Sequence, residues 1–186
     1  MPNENNQPKI RLFTALTVPV DLRAQLAALP HKGLDAKWSH VEDFHITIRF
    51  LGDLEPERLP EIEQALSRVR RAPFGAEVQG LGVFENKHQS ILHAKVQSVR
   101  KMEALCADIT DELVPLGFDF GARAFVPHVT LARLKGASRG LDAYMARHGR
   151  AIAARWQVLE FHLMLSASPD EGGRRYTVVH SYPLRA

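Results

Sequence analysis

Sulfur chemistry is nearly missing from this sequence. Of 186 residues one is cysteine, Cys106, so an internal disulfide is excluded and a cysteine-ligated metal centre has no ligands. That usage fits a reducing compartment, and a cytoplasmic protein is the expectation. No apolar run approaches the ~20 residues that cross a bilayer as a helix, so no membrane partner is expected. The opening MPNENNQPK has no apolar core, which excludes a secretory signal; residues 1–8 read as a flexible leader. Neither sign of charge dominates: 24 Lys+Arg against 21 Asp+Glu give +3 at neutral pH, with a sequence pI near 9.2. The mild basic bias is compatible with a phosphate-bearing partner, and equally with a plain solvated surface. With 45% hydrophobic and 24% charged residues, the chain can bury a core, and disorder is expected only at the ends.

Several signatures of common chemistry are also missing. The sequence has no HExxH, no Cys/His cluster, no His-x-His pair, no Walker loop and no GxSxG elbow, which leaves no metal site and no cofactor to expect. Cys106 falls within an amphipathic helical pattern and is expected to be a small core residue.

What is present is a repeated order of elements. KIRLFTALTV, from Lys9 to Val18, reads as a strand, followed by a helix opened by Pro19 and ended by Pro30 and Gly33. FHITIRFL, Phe44 to Leu51, alternates cleanly: Phe44, Ile46, Ile48 and Phe50 fall on one face, and His45, Thr47 and Arg49 on the other. Gly52-Asp53 is expected to turn the chain. Ile62, Ala65, Leu66 and Val69 mark a helix, with Pro60 in its first turn. Strands at Ala76–Phe84 and Ile91–Val96 are joined by the polar segment Glu85–Gln89. A helix over Met102–Leu116 closes at Gly117. A strand at Phe125–Leu134, a short helix at Leu141–His148, and strands near Val158–Leu165 and Tyr176–Tyr182 complete the chain, the last two flanking the turn-rich SPDEGGR. Strand, helix, strand, helix and strand pair thus recur as helix, strand, helix and strand pair. No flexible linker separates the halves. Residues 9–186 are expected to form one two-lobed α+β domain with internal pseudo-symmetry.

Within that order FHITIRFLG and PHVTLARLKG occupy equivalent places, with His45 and His128 83 residues apart (128 − 45). On a strand, residues i and i+2 share a side, so His45 stands with Thr47, and His128 with Thr130. Across a pseudo-twofold axis the two pairs would face each other over one cleft. One His-x-Thr strand is common and carries no signal. Two, each His-apolar-Thr-apolar with the histidine off the apolar face and at matching points of a repeat, form a set suited to phosphodiester chemistry. Attack at phosphorus needs a base for the nucleophile and an acid for the leaving oxygen. Imidazole serves both near neutral pH, and threonine hydroxyls can donate to the phosphoryl oxygens. Water activated by imidazole requires no metal.

At these residues the sequence resembles the 2H phosphoesterases, named for two His-x-Thr/Ser motifs, in the branch of RNA 2′,3′-cyclic phosphodiesterases historically called 2′-5′ RNA ligases. The likeness runs through RLFTALTVP, FHITIRFLGD, FVPHVTLARLKG and LMLSASPDEGGRRYTVVHSYPL. It implies a bilobal fold of pseudo-twofold duplicated antiparallel sheets, with helices outside and a central cleft. It implies metal-independent hydrolysis of 2′,3′-cyclic phosphates on RNA ends or nucleotides to 2′-phosphates, with His45 as proton donor, His128 as acceptor, and Thr47 and Thr130 as phosphate ligands. Arg133 matches an arginine after the second motif and is a further phosphate-binding candidate. In a regular strand it would point away from His128, so a bulge or strand end is needed to bring it round. Arg49 has the matching parity instead. Ser39-His40-Val41 and His93 depart from the usual pattern. Two other readings remain: 2′-5′ RNA ligation by the same residues run in reverse, and a nucleotide- or RNA-binding module without turnover. A monomer is the expectation for oligomeric state.

Overall fold

A computed structural model describes residues 8–85, 88–122, 124–135, 140–168 and 174–186. Residues 1–7 of the expected leader, residues 86–87 of the Glu85–Gln89 connection and the centre of SPDEGGR lie outside these residues. The elements are β1 (Ile10–Thr17), α1 (Val20–Ala27), β2 (Ala36–Trp38), β3 (His45–Leu54), α2 (Leu59–Leu66), β4 (Phe74–Phe84), β5 (Gln89–Val96), α3 (Val99–Leu113), β6 (His128–Lys135), α4 (Leu141–His148), β7 (Ala153–Val158), β8 (Glu160–Ser166) and β9 (Tyr176–Pro183).

All strand pairs are antiparallel and form one curled, nine-stranded sheet in the order β7-β4-β5-β6-β3-β1-β8-β9, with β2 also on β6. The two expected lobes are its halves, β7-β4-β5-β6 and β3-β1-β8-β9. Among the described residues their strands join through one pairing, Ile46 with Val129, and the segments flanking β4 and β9 meet at the isolated bridge of Arg71 with Arg185. Each half therefore contributes one His-x-Thr strand to the seam.

The helices cover one face. Leu22 and Leu26 of α1, Ile62 and Leu66 of α2, Met102, Leu105, Cys106 and Ile109 of α3, and Leu141 and Tyr144 of α4 share one core with Leu12, Leu16, Ile46, Ile48, Leu92 and Val129 from the strands. Cys106 is buried there as a small apolar residue. On the opposite, open face Phe13, Ala15 and Met164 form a separate small cluster with Tyr176. β1 is buried on both sides from Leu12 to Leu16, because its open-face residues Phe13 and Ala15 are covered by that cluster.

Several expected boundaries shift for physical reasons. β3 does not turn at Gly52-Asp53 but continues to Leu54; Gly52, at φ +90°, sits in a bulge that leaves Leu51 unpaired, a conformation that glycine adopts without a Cβ clash. The strand expected around Val158–Leu165 is two strands broken at the exposed Leu159. β7 pairs with β4 in one half, whereas β8 pairs with β1 in the other, so this short break carries the chain across the molecule. β2 has only three residues, too few for a periodic signal. The long helix ends at Leu113, and one 3-10 turn (Val114–Leu116) leads to Gly117 in the left-handed region.

Candidate active site

The two histidines are held in the same way. His45 Nδ1 donates to the backbone carbonyl of Asp43 at 2.6 Å, and His128 Nδ1 donates to that of Val126 at 2.7 Å. In each case the acceptor lies two residues earlier. A carbonyl can only accept, so Nδ1 carries the hydrogen in both. His45 Nε2 meets Thr47 Oγ1 at 3.0 Å. Since Ile46 pairs with Val129, one step of that antiparallel register either way sets His45 across from Thr130 and Thr47 across from His128. The structure therefore brings all four motif residues to one patch of the open face, each histidine opposite the other motif's threonine.

Beyond the motifs, matched bulges decide which side chains join them. Thr47 pairs with Ala15 and Arg49 with Thr14, leaving Ile48 unpaired. Thr130 pairs with His93 and Ala132 with Leu92, leaving Leu131 unpaired. Each bulge lies one residue past a motif threonine and inverts the alternation that follows. Arg133 is thereby returned to the open face, where its guanidinium approaches Gln89 Oε1 at 3.5 Å. Arg49 is turned off it: its Nε donates to Thr110 Oγ1 of α3 at 2.8 Å and its guanidinium lies 5.0 Å over Phe120. The regular alternation that favoured Arg49 and placed Phe50 in the core is thus corrected on both counts. Phe50 is the five-residue counterpart of Arg133, pairs with Phe13 of the open-face cluster, and is 56% exposed.

The two half-sites differ in their surroundings. The His45 ring lies 5.0 Å from Phe13 and 4.8 Å, edge-on, from Tyr176. Burial in this pocket pushes its pKa down, opposed by the bond to Asp43 and by the Asp43 charge, while His128 pushes it further down. The His128 ring contacts Phe84 at 4.8 Å and His93 at 5.4 Å, both edge-on. His93 itself stacks on Phe84 at 4.0 Å, and burial pushes it down to about 4. It fills the place of an aromatic ring as a neutral imidazole. Sequence reasoning missed Phe13, Asp43, Phe50, Phe84 and Tyr176. Only the bulge register reveals Phe50, and only the β8–β9 pairing brings Tyr176 to His45, 131 residues away (176 − 45).

A family model for LigT-like phosphoesterases matches residues 17–92 and again 95–172, so each stretch carries one His-x-Thr strand. The chain belongs to the LigT-like phosphoesterase family. A Geobacillus stearothermophilus RNA 2′,3′-cyclic phosphodiesterase is 30% identical over 79% of the chain, and the match spans about half (47%) of that relative's length. A Thermus thermophilus protein of the same name is 30% identical over 95% of this chain and 91% of its own. The crystal structure of E. coli LigT shares the fold, with a TM-score of 0.73 at 22% identity over 97% of this chain and all (100%) of that one. In this LigT-like chain no group of three or more His, Cys, Asp or Glu residues among those described could hold a metal ion. No described helix is long and apolar enough to cross a membrane. A surface depression on α4, lined by Met145, Arg147 and Arg150 among others, contains none of the family's motif residues.

Proposed function

We propose that residues 9–186 act as one two-lobed enzyme that hydrolyses 2′,3′-cyclic phosphodiesters on RNA ends or nucleotides to 2′-phosphomonoesters. The observation that carries this reading is the seam itself: two histidines, each anchored through Nδ1, with Nε2 turned to the open face and the two motif threonines between them. The names of the relatives give the substrate class. His128 Nε2 takes a proton from water, whose oxygen bonds to phosphorus. The bond from phosphorus to the 3′ oxygen breaks, and His45 Nε2–H supplies that oxygen's proton, leaving a 2′-phosphate and a 3′-hydroxyl. Thr47 and Thr130 donate to the non-bridging oxygens as charge builds on them. Arg133 adds a cation on the same face, and Phe50 offers an exposed ring on which the base can stack.

The test is hydrolysis of a 2′,3′-cyclic nucleotide by purified protein with a chelator present, followed by identification of the product. Wild type is expected to form the 2′-phosphate, and His45→Ala and His128→Ala each to lose roughly 10²–10⁴-fold in rate, the usual worth of a positioned acid or base. No product from either mononucleotides or RNA ends, or undiminished turnover in the double variant, would sink the assignment.

A further inference from the structure

The pseudo-twofold axis makes the two histidines near equivalents, so something off the motifs must decide which one holds the proton. The residues that anchor them differ. Val126, beside His128, is exposed. Asp43, beside His45, is buried at 6% exposure, although nothing in the His-x-Thr chemistry calls for a carboxylate there. Its side chain is fully engaged. Oδ1 accepts the backbone N–H groups of Arg175 at 2.9 Å and Tyr176 at 3.2 Å, and Oδ2 accepts that of Arg175 at 3.1 Å. These amides open β9, where the β8–β9 hairpin closes through Ala167 N to Arg175 O at 2.9 Å. Asp43 thus ties the loop end of a remote hairpin to the turn that carries His45, and Tyr176, the first residue of β9, packs edge-on against His45.

We propose that Asp43 fits His45 for its role as the acid: its buried carboxylate favours the imidazolium there and clamps Tyr176 against the ring. The inference rests on the two-histidine reading above. The charged groups acting on His45 are Asp43 from its own turn and His128 from β6; β1 presents Phe13 and Thr17, β3 presents Thr47, and β9 presents Tyr176. Asp43 is therefore the one anion in the set, in surroundings where burial alone would strip the proton from His45. It touches no reacting atom and acts as a positioning residue.

The variant Asp43→Asn keeps an oxygen where Oδ1 serves both amides; it removes the charge and replaces Oδ2, the second acceptor for Arg175 N–H, with a donor. Two readouts apply. By NMR, the His45 ring is expected to titrate at lower pH in Asp43→Asn than in wild type. In the pH profile of kcat/KM on a 2′,3′-cyclic nucleotide, the alkaline limb, which reports the acid in the free enzyme, is expected to move the same way. The ratio of rates at about pH 8 and about pH 6 would fall several-fold. Asp43→Ser, neutral and still an acceptor, should behave alike. An unmoved His45 titration in folded Asp43→Asn would overturn the proposal, as would loss of folding in both variants, which would assign the carboxylate to the scaffold. Because the NMR titration needs no turnover, absence of hydrolysis by wild type would sink the proposed reaction and still leave Asp43 tested.

Discussion

Phe50 stands out at the scale of the single residue: a large ring, 56% exposed, on a strand where Ile46, Ile48 and Leu51 are buried. A ring left in water there contributes little to folding, since truncating it removes little buried area. Its worth would be in binding. Phe50→Ala is expected to leave the urea midpoint nearly unchanged and to raise KM for a cyclic nucleotide about fivefold or more, from the ~1–3 kcal/mol of a base–aromatic stack. Steady-state kinetics beside a denaturation curve checks this, and an unchanged KM would remove Phe50 from the binding surface. Phe44, two residues before the first motif's core position, is the opposite case. Its burial at 5% exposure follows directly from the alternation visible in FHITIRFL.

At the scale of the element, the two motif strands are defined by their irregularities. Alternation placed His45 and Thr47 correctly because it spans only the first three residues of β3. It failed from Ile48 onward because a bulge is set by pairing with β1, and local sequence does not encode that register. The same event on β6 rescued Arg133, whose route to the open face required the bulge at Leu131. The second bulge on β3 rests on Gly52, where a substituted Cβ would meet nothing within 4 Å yet the backbone sits at φ +90°. Gly52→Ala is therefore expected to cost about 1–2 kcal/mol through the left-handed backbone alone. Urea unfolding should show that loss while kcat/KM stays within about twofold, an order-of-magnitude allowance for a residue off the reacting atoms. A fully stable Gly52→Ala would mean that the bulge does not depend on glycine.

At the scale of the whole molecule, three histidines share one bias. Burial lowers the pKa of His45, His93 and His162, the last held between Thr17 and Ser181 hydroxyls. Each is driven towards its neutral form in the folded chain, whereas the unfolded chain protonates near the ordinary histidine value of about 6.5. Their stabilisation is therefore complete above about pH 6.5 and is lost as the pH falls through that value, down to about 4 for His93. Urea midpoints should decline across that window, and less steeply in His93→Phe, which keeps a ring to stack on Phe84. A midpoint that is flat in wild type across the same range would contradict this.

The sequence by itself determined the repeated order of strands and helices, the place of the two His-x-Thr strands in it and the kinship they carry, because each is written in local periodicity or in short exact patterns. Helix α4 at Leu141–His148 and the αL stop at Gly117 were equally local. Only the tertiary structure decided that Arg133 and Phe50 face the motifs and Arg49 does not, that the chain crosses from one half to the other at Leu159, and that Asp43 meets Tyr176. The physical reason is common to all of these. They depend on which strand pairs with which and in what register, and a pairing is a free-energy choice made between segments distant in sequence, from Phe13 with Phe50 to Arg11 with Ser166, where a single unpaired residue reverses the side of every one that follows.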